Sequence, residues 1–136
     1  MRVKLDKGAY MPERAHATDA GADIRTPEDV LVRAKDSAVV RTGVHVELPP
    51  NTVGMLKSKS GLNVHNDIVS EGVIDEGYTG EIVVKLHNLG DTPLRLARGT
   101  KITQLVVMPV LYEAFEQADG ITGGERGDNG FGSSGR

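Results

Sequence analysis

The sequence predicts an all-β domain of the sandwich or barrel type, followed by a flexible tail. Residues 39–48 are rich in β-branched side chains and end at a Pro pair. Residues 81–87 alternate apolar and polar side chains, the period of a half-buried strand. Turn signals separate such runs at short intervals, which is typical of sandwiches and barrels. No long amphipathic helix and no internal repeat is evident.

The remaining elements follow in chain order. Residues 94–97 and 102–108 continue the strand pattern. The turn signals are rich in Pro, Gly and Asn, and they lie at residues 26–27, 49–51, 90–93 and 98–99. Seven glycines fall between Gly120 and the end of the chain. We therefore expect a packed domain over residues 1–119 and a flexible arm over residues 120–136.

Composition narrows the class of protein. The 136 residues suit one domain with a modest core, and no cysteine is present for disulfides or thiolate metal sites. No stretch approaches the roughly 20 apolar residues of a membrane span, and the first residues lack the apolar region of a signal peptide. We therefore expect no membrane partner and a location in the cytoplasm, or in the host cytoplasm if the source is viral. A formal net charge of −3 argues against nonspecific nucleic-acid binding, although a small polyanion could still occupy a basic pocket.

The apolar run at residues 105–111 has no polar face. Such a run needs cover on both sides, which a small sandwich supplies poorly and an oligomer supplies well. This pattern favours an oligomer over a monomer.

The tail carries side chains that a purely flexible segment does not need. Arg126 supplies a cation, Phe131 a single aromatic ring, and Ser133 and Ser134 two hydroxyls. Ordering so many glycines costs backbone entropy, so a bound ligand must compensate. We expect a lid that orders on a phosphorylated ligand with a flat ring.

Two segments in the first half could carry chemistry. Asp23, flanked by small residues, could accept hydrogen bonds from a ligand hydroxyl or metal-bound water, or could be a turn Asp that bonds its own backbone. The segment from Lys57 to Leu62 offers two ammonium groups, two hydroxyls and a glycine. It is either an anion nest or an exposed polar turn, and it is not a P-loop.

Two segments in the second half are equally open. Asp75 and Glu76 end an apolar stretch, and Tyr78 follows among glycines, which indicates either a small cavity with a general base or a hairpin tip with solvated acids. Gln104 interrupts an apolar strand, where an amide must be paired. Its partner is either a ligand or the backbone of a neighbouring strand.

Five segments in chain order resemble the five motifs of the homotrimeric dUTPase family. The match spans nearly the whole chain, and the third and fifth motifs are nearly complete. The segments are Ala20-Gly-Ala-Asp-Ile24, Ser58-Lys-Ser-Gly-Leu62, Gly72-Val-Ile-Asp-Glu-Gly-Tyr-Thr-Gly80, Gly99-Thr-Lys-Ile-Thr-Gln-Leu105 and Arg126-Gly-Asp-Asn-Gly-Phe-Gly-Ser-Ser-Gly135.

The resemblance implies a jelly-roll β-barrel that assembles as a homotrimer with active sites at subunit interfaces. The implied reaction converts dUTP and water to dUMP and pyrophosphate, lowering dUTP and supplying dUMP for thymidylate synthesis. Mg²⁺ is the implied cofactor, bound on the triphosphate. Catalysis would then rest on positioning and charge neutralisation.

The resemblance also implies a role for individual residues. Asp75 would be the base for the attacking water and would hold the 3′-hydroxyl, and Tyr78 would pack under the sugar. The main chain of Val73, Ile74 and Val83 would read the uracil. Lys59, Ser60 and Gly61 would hold phosphates, with Gln104 nearby, and Asp23 would bond waters of the Mg²⁺ shell. In the arm, Arg126, Ser133 and Ser134 would hold the distal phosphates, Phe131 would stack on the uracil, and Gly132 would also belong to the substrate site.

Two positions depart from the family pattern. Lys59 stands where the family usually has Arg, so the charge is kept but the bidentate fork is lost. Ala22 stands where a bulky residue usually precedes the Asp, which affects packing more than chemistry. The tripeptide that begins at Arg126 also matches an integrin-binding signal, which we regard as coincidence.

Two other functions must be distinguished from dUTP hydrolysis. A dCTP deaminase of the same superfamily would need a carboxylate on the strand after the hairpin, where this chain has Lys85. The other alternative is a regulatory binding protein that keeps the nucleotide site but signals through protein contacts, and the presence of Asp75 favours an enzyme over it. Ammonia release from dCTP and the behaviour of an Asp75→Asn variant separate these alternatives.

Overall fold

The computed structural model describes residues 1–125 and 127, which form ten short strands and one short helix. None of the helices in this described part is long and apolar enough to span a membrane. The elements are β1 (Arg2–Leu5), β2 (Gly21–Arg25), β3 (Val30–Val32), β4 (Ser37–Glu47), β5 (Thr52–Ser58), α1 (Ser60–Asn66), β6 (Ile68–Val69), β7 (Glu71–Ile74), β8 (Glu81–Asn88), β9 (Leu94–Leu96) and β10 (Lys101–Pro109).

The strands form three antiparallel sheets. One four-stranded sheet has the order β1-β4-β8-β6, the other has the order β2-β10-β5-β7, and β3 pairs with β9. Consecutive strands β7 and β8 belong to different sheets, so the chain crosses between the sheets at the turn that joins them. The all-β prediction is confirmed.

The core lies between the two four-stranded sheets. On β8, Ile82, Val84 and Leu86 are fully buried, while Val83 and Lys85 point outward. The alternation predicted for residues 81–87 is therefore confirmed, because successive side chains of a strand face opposite sides of the sheet. The same apolar cluster takes side chains from the second sheet, including those of Ile24, Leu56, Ile102 and Leu105.

Helix α1 was not predicted from the sequence. Ser60 and Gly61, which the sequence placed in a polar turn or an anion nest, lie in its first turn. The helix ends at Asn66, and its C-cap Asp67 has a left-handed backbone (φ 54°) and donates its N–H to the carbonyl of Asn63. The helix buries no residue, so the sequence has no apolar stripe at this point.

The apolar run at residues 105–111 is only partly covered. Leu105 is buried in the core, but Met108 is 41% exposed and Leu111 is 82% exposed. Beyond Pro109 the described residues form no helix or strand, and the ring of Phe115 is fully exposed. A single chain therefore leaves the uncovered apolar surface that the oligomer prediction presumes.

Candidate active site

The turn between β7 and β8 opens a small cavity of about 220 Å³, which we call the hairpin cavity. It lies where the chain crosses from one sheet to the other. Five of the predicted site residues meet here, together with Glu81. Its lining consists of Val73, Ile74, Asp75, Tyr78, Glu81 and Val83.

Tyr78 forms one wall of the hairpin cavity. Its backbone N–H donates to the Asp75 carbonyl at 2.9 Å, and its hydroxyl donates to the Glu81 carbonyl at 2.9 Å. The ring folds back over Gly80, where a Cβ atom would lie 2.5 Å from the ring carbon Cζ. A side chain at position 80 would therefore displace the ring, which explains a glycine after this tyrosine.

Glu81 fixes the hairpin cavity to the neighbouring strand. Its side chain is 12% exposed and accepts a hydrogen bond from the Gly43 N–H at 2.9 Å. It also forms an ion pair with Arg41. Arg41 on β4 thus neutralises the Glu81 carboxylate. Asp75 is therefore the accessible acid of the hairpin cavity.

Asp75 is exposed at the mouth of the hairpin cavity. Within residues 1–125 and 127, its carboxylate takes part in no ion pair or side-chain hydrogen bond. A carboxylate without a partner keeps its lone pairs available for water or for a ligand hydroxyl. The arrangement can therefore accept a proton from a bound water.

Glu76 is not a solvated acid of a hairpin tip. Its Oε2 accepts the backbone N–H of Asn51 at 2.9 Å and the hydroxyl of Tyr112 at 2.8 Å. The bond to the Glu76 carboxylate raises the pKa of Tyr112. Glu76 therefore anchors the turn that carries Asp75 to the turn at Asn51 and to Tyr112, which lies in the segment after β10.

A second cavity, of about 370 Å³, is lined by residues of β2, β5 and β10, and we call it the lysine cleft. Three predicted site residues, Asp23, Lys59 and Gln104, line it together with Lys57 and Lys101. The other lining residues are Ala15, Asp19, Ala20, Gly21 and Val106. Such a concentration of ammonium groups suits a phosphorylated ligand.

Asp23 is the buried acid of the lysine cleft. It lies within β2 at 5% exposure, so its interpretation as a turn Asp is wrong. Its two oxygens are paired with Lys59 and, at 2.6 Å, with Lys101. Burial acts to raise the pKa of Asp23, but the hydrogen bonds and charges of the two lysines outweigh it and hold that pKa below 3.8.

Gln104 is paired with a neighbouring strand, as one of the two interpretations predicts. Its Nε2 donates to the Ser58 carbonyl at 3.0 Å, while the side chain also lines the lysine cleft. Gly21 permits this position, because a Cβ atom there would lie 2.2 Å from Gln104 Oε1. The observed position of the Gln104 side chain therefore requires a glycine at position 21.

Comparison with known proteins decides the family. A model of the dUTPase family matches residues 7–135. The chain belongs to the dUTPase family. The deoxyuridine 5′-triphosphate nucleotidohydrolase of Gloeothece citriformis is 40% identical over 136 residues, which cover 98% of this chain and 94% of that protein. The enzyme of the same name from Clostridium acetobutylicum is 39% identical and covers 97% of this chain and 93% of its own.

Solved dUTPase structures have the same fold. The dUTPase of Staphylococcus bacteriophage 80alpha with dUPNHPP superposes with a TM-score of 0.92 at 34% identity, covering 99% of this chain and 98% of that one. A mutant dUTPase of phage phi11 of S. aureus, described with a structural Mg(II) ion, has a TM-score of 0.80 at 30% identity, with coverage of 88% and 96%. The predicted jelly-roll fold of the dUTPase superfamily is confirmed, and the function of this family is the hydrolysis of dUTP to dUMP.

In this dUTPase-family chain, the predicted site residues fall into two separate groups. The hairpin cavity and the lysine cleft share no lining residue. Ile74 of β7 pairs with Gly54 of β5, and Lys59 lies five residues after Gly54 along the chain. At ~3.3 Å per residue this separation is about 16 Å, so one chain does not place Asp75 and Lys59 in a common pocket.

The other dUTPase-motif residues lie outside both cavities. Ser60 and Gly61 are exposed in the first turn of α1, and a Cβ atom at Gly61 would meet no atom within 4 Å. Open backbone at this position leaves room for a phosphate. The tail residues Arg126, Phe131, Gly132, Ser133 and Ser134 lie outside the described residues.

Lys101 and Glu81 are among the lining residues that were not predicted as site residues. Lys101 stands in the fourth dUTPase motif, but the motif resemblance implied no role for it. Glu81 opens strand β8 directly after the third motif. Their position beside motif residues was the available signal, but neither residue type nor spacing distinguishes them from surface charges.

Proposed function

We propose that this protein hydrolyses dUTP to dUMP and pyrophosphate. The observation that carries the proposal is the hairpin cavity, in which the carboxylate of Asp75 stands beside the ring of Tyr78 and the apolar side chains of β7 and β8. We propose that the nucleoside enters this cavity with its phosphates at the mouth, next to Asp75. Membership of the dUTPase family supports the same substrate.

The uracil ring would be read by the main chain of Val73, Ile74 and Val83. Strand β7 is the outer strand of its sheet and pairs only with β5 in the described chain. Its other edge therefore offers N–H and C=O groups of the kind that recognise a base edge. The ring of Tyr78 would pack under the deoxyribose and leave no room for a 2′-hydroxyl.

Asp75 would act as the general base. Its carboxylate would take a proton from a water, whose oxygen then forms a bond to the α-phosphorus while the bond to the bridging oxygen of the pyrophosphate breaks. The 3′-hydroxyl of the sugar would be held in the same region. Asp75 is exposed and has no side-chain partner among the described residues, and Glu76 anchors its turn; both observations support this role.

The phosphates would bind at the lysine cleft and at the start of α1. Lys59, Ser60, Gly61 and Gln104 are the proposed ligands. The described chain holds no group of three acidic or histidine side chains for a metal, but a single carboxylate suits Mg²⁺, which keeps its waters and binds mainly through substrate phosphates. Asp23 would reach Mg²⁺ through water, and the ion would supply charge neutralisation on the triphosphate.

We propose a homotrimer in which the hairpin cavity of one subunit faces the lysine cleft of another. The separation of the two cavities within one chain supports this assembly, as do the exposed side chains of Leu111, Phe115 and Ile121. The arm, proposed to comprise residues 120–136, would close over the site. In the arm, Arg126, Ser133 and Ser134 would hold the distal phosphates, with Phe131 and Gly132 against the uracil. A cytoplasmic location stays a prediction from the sequence.

The decisive experiment measures pyrophosphate and ammonia release with dUTP, dTTP, dCTP and UTP. We expect pyrophosphate release with strong preference for dUTP, and loss of turnover but not of nucleotide binding in Asp75→Asn. Ammonia from dCTP would contradict the proposed reaction. Unchanged turnover of the Asp75→Asn variant would contradict the assignment of the base.

A further inference from the structure

The lysine cleft has an uneven distribution of charge. Three lysines and two aspartates line it, so positive charges outnumber negative ones. Lys57 is paired with Glu71 at 2.9 Å, and Asp19 accepts the backbone N–H of His16 at 2.9 Å. The other two lysines of the cleft, Lys59 and Lys101, both form ion pairs with Asp23.

One buried carboxylate therefore serves two ammonium groups. The side chain of Asp23 is 6% exposed, while those of Lys59 and Lys101 are 26% and 36% exposed. The two lysines come from different segments, since Lys59 lies between β5 and α1 and Lys101 opens β10, and they contact different oxygens of Asp23. Two cations held at one point form a ready site for an anion with several oxygens, such as a phosphate.

We propose that Lys101 and Lys59 jointly bind a distal phosphate of the nucleotide, and that Asp23 occupies the place of this phosphate in the nucleotide-free protein. The inference rests on the proposed function. The α-phosphorus must lie beside Asp75, so phosphates that reach the lysine cleft are those further from the nucleoside. On binding, the two ammonium groups exchange the Asp23 carboxylate for phosphate oxygens, and Lys101 becomes a substrate-binding residue.

The competition between Asp23 and phosphate gives the inference a distinctive consequence. Removing the charge of Asp23 should strengthen phosphate binding when no metal is present, because the internal competitor is gone. If Asp23 only holds the two lysines in place, removing its charge should instead weaken phosphate binding, because both lysines would become disordered. Removing the charge of Lys101 should weaken binding only of nucleotides that carry distal phosphates.

The test measures dissociation constants for dUMP and for the dUTP analogue dUpNHpp, the ligand named above as dUPNHPP. The method is calorimetry on the full chain, with a chelator present to remove metal. We expect Lys101→Met to weaken dUpNHpp binding about tenfold or more while dUMP binding stays within about twofold, as the loss of a charge-assisted bond implies. Lys101→Arg should restore most of the affinity. Asp23→Asn should bind dUpNHpp more tightly than the wild type, and Lys7→Met, which removes an exposed lysine outside the cleft, should match the wild type.

Three outcomes overturn the inference: unchanged dUpNHpp affinity in Lys101→Met, equal losses for dUpNHpp and dUMP, or weaker dUpNHpp binding in Asp23→Asn. If Lys101→Met does not fold, Lys101→Arg and Asp23→Asn still decide whether Asp23 competes with the phosphate or only holds the two lysines in place. Failure of the wild type to hydrolyse dUTP would contradict the proposed function separately, because every measurement in this series is one of binding.

Discussion

The imidazole Nε2 of His45 lies 3.1 Å from the Asp6 carboxylate, and its Nδ1 lies 3.1 Å from the Thr79 carbonyl. Both partners are acceptors, so both ring nitrogens must carry protons to satisfy them. The bond to Asp6, followed by the bond to Thr79, raises the pKa of His45 above 6.5, and the same pair lowers the pKa of Asp6. The imidazolium thus ties the N-terminal segment to the turn that carries Tyr78.

This arrangement predicts a stability that depends on pH. A raised pKa in the folded state stabilises the fold below the unfolded value of about 6.5, and the effect is lost as the pH rises through the folded pKa. The lowered pKa of Asp6 sets the acid limit, since its contribution is lost as the pH falls below 3.8. His45→Gln should therefore lower the free energy of unfolding at pH 6 and have little effect at pH 9, as measured by urea denaturation. His87→Gln, at an exposed position on β8, is the control, and an equal effect of His45→Gln at both pH values would refute the coupling.

The position of the Tyr78 ring predicts different effects for two neighbouring glycines. Gly80→Ala would place a Cβ atom 2.5 Å from the ring and displace it, whereas a Cβ at Gly77 meets no atom within 4 Å. We expect Gly80→Ala to reduce kcat/KM for dUTP about tenfold or more, a displacement effect of the usual size for a misplaced binding group, and to reduce the preference for dUTP over UTP. Gly77→Ala should retain near-normal kinetics. Equal losses in the two variants would show that the ring position is not the cause.

A site shared between subunits predicts recovery of activity on mixing. Asp75→Asn and Lys59→Met should each be nearly inactive, because each damages every site of its own trimer. After joint unfolding and refolding at equal amounts, about a quarter of the sites would combine an intact Asp75 with an intact Lys59. Pyrophosphate release from the mixture is the measurement. If the mixture stays as inactive as its components, both residues serve the same chain's site.

The arm is predicted to be needed for turnover but not for folding. Deleting residues 125–136 removes only sequence that lies beyond the last strand, which ends at Pro109. We expect thermal unfolding and oligomeric mass to stay unchanged while kcat falls by about two orders of magnitude, as for a lid that excludes water. Normal hydrolysis of dUTP by the shortened protein would remove the role assigned to Arg126 and Phe131.

Local patterns were enough to predict four of the ten strands, β4, β8, β9 and β10. The alternation around Ile82 is a property of neighbouring residues, and it predicts both a strand and its buried face. Helix α1 was missed because it buries no side chain, so no period marks it. A buried strand is not always predicted either, since four of the five residues of β2 are buried and yet they show no alternation that marks a strand.

The contacts of the candidate site required the fold itself. The pairing of Asp23 with Lys101 depends on β2 and β10 being neighbours, and the bond from Tyr112 to Glu76 joins residues 36 positions apart. The motif resemblance identified Asp75 and Gln104, but only the structure shows that Gln104 is held by Ser58.

The uncovered side chains of Leu111, Phe115 and Ile121 bear on how activity must be measured. Each exposes a large apolar area to water in the single chain, and apolar area favours association by about 25 cal/mol per Å² removed from water. Association obeys mass action, so dilution shifts material toward free chains. Specific activity should then fall as the enzyme is diluted in the assay cuvette, and rate constants compared between variants are meaningful only at matched protein concentration.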